Sequence, residues 1–316
     1  MIKFIYLLAF LSLWAKADIS SVDITPIAYM DKNPNIKILD QKKISFSEMG
    51  NVKFCELSDV AYYQKTETLF FVGDKGMLYS FHAKFNTKID ELRPLRAVRL
   101  KNKRLKKFKK WERDSEGLVL DGKGRLIVSF EGDPKVAWFH KNSAKFGSLI
   151  KKYRLPSALR GRKKYRGGNK SLEALTWHKK YGLLAAAEYP VRKMHRDMQT
   201  IYALSGKKWN FKAEPEKNSG VVAMEIMDDG NVLVMERSFS GLLAPFVVTL
   251  KKVFLNKKQK GLCKTKVLLK MNTHKGWSID NFEGLSKVGK NRYVMVSDDN
   301  DNFFQRTLLV YFEVLN

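Results

Sequence analysis

The residues best able to do chemistry in this chain are carboxylates that come in pairs. Glu116 and Glu131 stand 15 residues apart, as do Asp59 and Asp74, Glu173 and Glu188, and Glu283 and Asp298. Each pair frames an apolar run, a short turn and a second run of strand formers. Between Glu116 and Glu131 the turn is Asp121-Gly122-Lys123-Gly124, the composition of a tight hairpin. In the other copies it falls at Lys65-Thr66, Tyr181-Gly182 and Gly289-Lys290. A fifth copy runs from Val222-Ala223-Met224 through Asp229-Gly230 to Glu236 and lacks the first acid. Carboxylates gathered together can serve as general acid or base, or hold a hard cation such as Ca²⁺, which takes roughly 6–8 oxygen ligands.

The elements that position these acids follow from the repeat. The copies begin at 59, 116, 173, near 222, and 283, a mean period of 56 residues. Such a period marks a repeat architecture. Two further strands follow each hairpin: Met77–His82 and Leu95–Leu100, Val136–His140 and Leu149–Leu155, Thr200–Leu204 and Trp209–Lys212, Phe246–Phe254 and Lys264–Lys270. Four short antiparallel strands make one blade of a β-propeller. The last unit has three, Phe282–Ser286, Tyr293–Ser297 and Leu308–Val314, and Lys37–Phe46 is expected to supply the fourth from the other end of the chain. That closure hides the sheet edges left open between first and last blades. Sustained helical periodicity is absent, so the expected class is all-β: a propeller of five four-stranded blades, with a sixth in Ile19–Met30 as the alternative.

In such a blade the first strand lines the central channel and the second returns to the starting face. Both acids of a pair therefore lie at one mouth of the channel. The expected ring is Asp59, Asp74, Glu116, Glu131, Glu173, Glu188, Glu236, Glu283 and Asp298. Crowded carboxylates repel one another unless cations or hydrogen-bond donors compensate. The plainer alternative is that each acid accepts backbone N–H bonds at a strand end.

Met1–Ala17 joins Lys3 to the apolar run Phe4–Trp14 and ends in Ala15-Lys16-Ala17, the pattern of a secretory signal peptide too short to span a membrane. A buried N-terminal helix is the alternative. The expected organisation is a signal peptide at 1–17 and one propeller domain at 18–316, located in the periplasm or secreted, monomeric and without a transmembrane segment. Removing Lys3 and Lys16 takes the formal net charge from +27 to +25. Export argues against nucleic acid and favours phosphorylated small molecules, lipid headgroups or polyanions as partners. Cys55 and Cys263 are too few for a disulfide framework; one bridge or two buried thiols remain open. A Cys/His cluster of zinc-site spacing does not occur. The five histidines, at 82, 140, 178, 195 and 274, are scattered.

Basic residues crowd the loops assigned to the acidic face. Lys101–Arg113 holds eight Lys and Arg against Glu112, and Arg160–Arg166 adds five. Arg192, Lys193, His195 and Arg196 follow Glu188, and Arg237 follows Glu236.

Ser-Glu-Gly-Leu at 115–118, Leu-Glu-Ala-Leu at 172–175 and Phe-Glu-Gly-Leu at 282–285 resemble the repeated motif of the phytase-like, esterase-like family of exported β-propellers. So do Glu188-Tyr189-Pro190, Val234-Met235-Glu236-Arg237 and Ser297-Asp298-Asp299-Asn300, and the resemblance covers the chain from about Ser58 to Val314. It departs at Asp59-Val60, where Gly is usual, and in the fourth copy, which lacks its first acid. The resemblance implies hydrolysis of phosphate or carboxylic esters. A Gly-x-Ser-x-Gly nucleophile elbow and a P-loop are both absent, while the oxygen-rich clusters suit a hard cation, so metal-assisted chemistry is expected. Ca²⁺ would be held by Glu116, Glu131, Glu173, Glu283, Asp298, Asp299 and Asn300. Arg192, His195, Arg196 and Arg237 would bind the anionic group, and Glu188 or Glu236 would act as general base. An Asx-rich turn is the alternative for 298–302. The alternative function is a propeller without catalysis that binds a polyanion or a partner protein through the same face.

Overall fold

The structure is a computed structural model and describes residues 18–29, 33–167, 170–241, 244–259 and 261–315. The expected signal peptide, Met1–Ala17, lies outside the described residues. Blade I consists of Leu57–Tyr63, Thr68–Gly73, Met77–Phe85 and Ile89–Arg99. Blade II consists of Ser115–Leu120, Leu126–Phe130, Lys135–Phe139 and Leu149–Tyr153. In blade III the strands are Leu172–His178, Gly182–Ala187, Met198–Ala203 and Lys208–Lys212, and in blade IV they are Gly220–Ile226, Val232–Ser238, Val247–Gln259 and Leu262–Asn272. Blade V takes Asn281–Gly289, Arg292–Asp298 and Thr307–Val314 from one end of the chain and Ile36–Ser45 from the other. Pairing within every blade is antiparallel, and the first strands of the blades neighbour one another in sequence, the fifth returning to the first. The protein is a five-bladed β-propeller closed by an N-terminal strand. Asp18–Ser21 adds a fifth strand to the outer edge of blade V and does not begin a sixth blade.

Burial explains the strand patterns. First strands are packed on both faces and read as continuous buried runs, as in Leu57–Tyr63 and Ser115–Leu120. Fourth strands expose one face and alternate, as in Lys208–Lys212. Apolar clusters fill each blade–blade interface: Phe70, Leu118 and Phe139 between I and II, Ile127, Leu172 and Tyr202 between II and III, and Ile201, Trp209 and Val234 between III and IV. Met235, Phe282 and Phe312 lie between IV and V, and Phe71, Tyr79 and Tyr311 between V and I. The outer strands of blades I and IV run well past the expected segments. Their extra residues are mostly charged and polar, so the apolar pattern that marks a strand is missing there although the backbone still pairs.

Candidate functional site

A β-bulge near the start of each first strand sets the site. The ladder registers Leu57↔Gly73 then Asp59↔Val72 in blade I, Leu172↔Ala187 then Ala174↔Ala186 in III, Val221↔Glu236 then Ala223↔Met235 in IV, and Phe282↔Ser297 then Gly284↔Val296 in V. The unpaired residues are Ser58, Glu173, Val222 and Glu283, and in blade II Glu116 and Gly117 together oppose Ser129. A bulge re-aims its side chain, and here it accompanies an acid in three of the five blades. The residue after the second-strand partner completes each unit: Asp74, Glu131, Glu188, Arg237 and Asp298. The glycine of the Glu-Gly-Leu motif is steric. A Cβ on Gly117 would lie 2.7 Å from the Glu173 carbonyl oxygen, and one on Gly284 would lie 2.8 Å from Asp59 Cα.

This register corrects two members of the expected ring. Asp59 follows the bulge of blade I, in line with Gly117, Ala174, Ala223 and Gly284; its 15-residue spacing from Asp74 is a coincidence, and Ser58 holds the ring position, donating to Asp74 Oδ1 at 2.8 Å. The Asp59 carboxylate bridges to the first strands on either side, accepting from Leu118 N (2.6 Å) and Leu285 N (3.0 Å) as well as from Val60 N (2.8 Å). Glu225, which the sequence did not single out, does the same between Thr176 Oγ1, Ile226 N and Lys287 N. Between them these two acids tie all five first strands. Glu236 points the other way from Arg237. It is buried against Lys251 Nζ at 2.5 Å and accepts from Glu214 N and Ser219 Oγ, so its strand alternation removes it from the mouth and from the role of general base.

The ring that remains is Asp74, Glu116, Glu131, Glu173, Glu188, Glu283 and Asp298, with Arg237 in the fourth blade's place. Single carboxylate oxygens of Glu116, Glu131 and Glu173 lie within 4.8 Å of one another, and Glu116 forms a second such group with Asp74 and Asp114. Asp114 is a further residue the sequence reading missed; its signal was its position directly before Ser115-Glu116. Glu131 accepts from Ser171 N at 2.7 Å. Glu116 and Glu173, each 8% exposed, have no hydrogen-bond or ion-pair partner among the described residues. The other side of the ring is compensated. Arg237 pairs with Glu283 and reaches Glu188 at 3.6 Å, Lys170 meets Glu188 at 2.7 Å, and Asn281 donates to both Glu283 and Asp298.

Electrostatics follow this division. Burial, reinforced by the neighbouring carboxylates, pushes Glu116 and Glu173 well above the usual range. The same causes raise Asp74 to about 7 and Asp298 to about 8. Burial raises Glu131 to about 8 against the Ser171 N–H bond that lowers it. The donor set is all oxygen, as Ca²⁺ or another hard cation requires. Two ligands of one such ion, each at about 2.4 Å from it, are at most about 4.8 Å apart, which the Glu116, Glu131 and Glu173 group satisfies. These residues fit a divalent cation.

Around the mouth, Lys170, Glu188, Tyr189, Arg237, Asn300 and Phe304 are among the residues lining a cavity of about 600 Å³; of the ring carboxylates only Glu188 reaches it. Arg196 lines an adjoining groove with Lys170 and Tyr189. Arg192, His195 and Arg196 are exposed; His195 pairs with Asp197, and Arg192 Nε is bonded to the Tyr165 carbonyl oxygen. Asp299 is not placed to ligate a cation: its oxygens accept from Glu56 N, Asp301 N and Thr307 Oγ1, the bonding of an Asx turn. Asn300 is exposed, its amide donating to Gln305. Cys55 lies beside Glu56 before blade I and Cys263 in the interface of blades III and IV, so the two do not form a bridge.

A propeller with a carboxylate-lined channel mouth is the class that the fold and the site define. Residues 52–301 match the family model described as phytase-like, esterase-like activity of phytase, and the chain belongs to that family. No curated protein matches the chain. Among solved structures it is similar to selenomethionine-substituted virginiamycin B lyase from Staphylococcus aureus, at 9% identity and a TM-score of 0.41 over 94% of this chain and 99% of that one. The Pan2 WD40 domain of Neurospora crassa aligns at 8% identity and a TM-score of 0.38, over 90% and 97% of the two chains.

Proposed function

We propose that the protein is an exported, metal-assisted hydrolase of phosphate or other anionic esters, with the cation held by Glu116, Glu131 and Glu173. The observation that carries this reading is the pair of buried carboxylates, Glu116 and Glu173, left without donors beside Glu131. When bound, Ca²⁺ would polarise the ester and neutralise negative charge developing on it. The chain's own residues supply the rest. Lys170 and Arg237 offer N–H donors at the cavity wall for an anionic group, and Arg196 extends that positive edge along the adjoining groove. Glu188 is the proposed base, because it is the ring carboxylate that lines the cavity. Family membership supports an ester as substrate.

The test is direct. Protein purified without chelator is assayed for bound metal, then for hydrolysis of p-nitrophenyl phosphate, p-nitrophenyl acetate and a panel of phosphomonoesters, with Ca²⁺ or with EDTA. The expected result is bound divalent metal and EDTA-sensitive ester hydrolysis. Metal without turnover of any ester would leave the alternative, a binding propeller, in its place.

A further inference from the structure

Charge alone does not single out the mouth of the channel. Lys65, Lys88, Lys123, Lys179, Lys207 and Lys290 are exposed at the turns of the opposite face. Apolar exposure is concentrated at the mouth, with Ile27 (90%), between Asp18–Ser21 and Ile36–Ser45, as the main exception. Leu105 (53%), Trp111 (51%), Phe239 (51%), Phe303 (95%) and Phe304 (87%) all belong to loops on the mouth side, joining second to third strands or one blade to the next. Phe239 and Phe304 meet at one cavity, and Phe303 and Phe304 pack edge to face at 5.6 Å. These rings are presented by built loops. Phe304 N donates to Asn302 Oδ1, and Asn302 N and Gln305 N close turns onto Asp299 and Asn302 carbonyl oxygens. Lys135, buried beneath Phe108, donates to the Glu112 carbonyl oxygen and pins the loop that carries Trp111.

Lys103, Arg104, Lys106, Lys107, Lys109 and Lys110 interleave with Leu105 and Trp111, whereas Phe303 and Phe304 follow Asp298, Asp299 and Asp301. Most lysines and arginines of 101–113 and 160–166, with Lys193 and Arg196, form no ion pair among the described residues, although Arg113 lies in the field of Asp114 and Arg160, Arg166 and Arg192 donate to backbone carbonyl oxygens. Exposed aromatic side chains interleaved with unpaired Lys and Arg match a lipid surface, where rings enter the headgroup region and cations meet anionic phosphates. A soluble polyanion would need the cations and would gain nothing from Phe303. We propose that the mouth face docks on a bilayer rich in anionic phospholipid, with Phe303, Phe304 and Trp111 as its apolar contacts. This surface rims the proposed catalytic cavity, sharing Phe304 with it and Arg196 with the adjoining groove, but the docking holds whether or not the site turns over an ester.

Full-length protein as exported, wild type and variants sharing one N terminus, is sedimented with vesicles of phosphatidylcholine alone or mixed equally with phosphatidylglycerol. Tighter, salt-sensitive binding to the mixed vesicles is expected. The double variant Phe303→Ser, Phe304→Ser should weaken it about tenfold or more with an unchanged melting temperature. The control Leu95→Ser, on an edge strand, should bind as wild type. The triple change Lys106→Gln, Lys107→Gln, Lys109→Gln should erode the preference for phosphatidylglycerol. Equal binding to both vesicle types, or phenylalanine variants that bind like wild type, would overturn the proposal. So would binding to heparin that ignores the phenylalanines, without vesicle binding; that outcome identifies a soluble polyanion.

Discussion

Glu116 and Glu173 are the residues at which burial and charge are least reconciled. Each carboxylate is buried beside another acid with no donor among the described residues, an arrangement that a cation would relieve. Glu173→Gln removes one charge and keeps the shape. It should abolish the rise in melting temperature that Ca²⁺ gives the wild type while leaving the metal-free melt unchanged or higher. A cation at about one hundred times its Kd stabilises the wild type by about 2.7 kcal/mol, which sets the size of the lost response. A variant whose melt still responds to Ca²⁺ like wild type would remove Glu173 from the site. Asp59 differs in accepting three backbone N–H bonds, although burial still pushes its carboxyl well above the usual range. Asp59→Asn would turn an amide N–H₂ toward Leu118 N or Leu285 N and cost about 1–3 kcal/mol. A shift in the urea midpoint measures that cost, and an unshifted midpoint would show that the tie between neighbouring first strands is dispensable.

The blade is the unit in which these residues acquire direction. The bulge places Glu116, Glu173 and Glu283 at the ring, and strand alternation sends Glu236 into the Lys251 pair while Arg237 faces Glu283. Closure depends on one strand from the other end of the chain. Ile36–Ser45 pairs with Thr307–Val314 and sends Ile44 into the interface of blades V and I. Deleting residues 18–46 should unzip blade V and expose the edge of Thr307–Val314, giving a protein that melts at markedly lower temperature or self-associates. Differential scanning calorimetry with light scattering checks this. A truncated chain that melts as a monomer at the wild-type temperature would show that the strand adds little.

At the scale of the whole molecule, the carboxylate ring makes stability a function of pH. Asp74 is raised from 3.8 to about 7, Glu131 from 4.5 to about 8 and Asp298 from 3.8 to about 8. Folded-state values above unfolded ones mean that the folded protein binds protons more tightly. The contribution is complete below pH 4 and is lost as pH rises through 7 to 8. The metal-free protein should therefore lose on the order of a few kcal/mol between pH 5 and about 8.5. Ca²⁺ should restore it, most at the alkaline end. Melting curves in EDTA that do not fall over that range would show that the ring is compensated in some other way.

Strand periodicity and the 56-residue repeat determined the propeller, its blade count and the closing strand. These are local patterns, because every first strand must be apolar on both faces and every turn must be sharp. The motif residues Glu116, Glu131 and Glu173 were legible for the same reason. Tertiary structure decided the rest. Spacing along the chain could not show that the bulge of blade I falls on Ser58, which made Asp59 look like a ring member. Nor could it show that Arg237, one residue beyond the apparent repeat acid, occupies the ring while Glu236 is sealed away. A one-residue change of register reverses the face on which a strand side chain lies, and only the paired sheet fixes that register. Glu225 was invisible for a related reason: its partners Thr176 and Lys287 come from other strands, and only the closed ring brings them together.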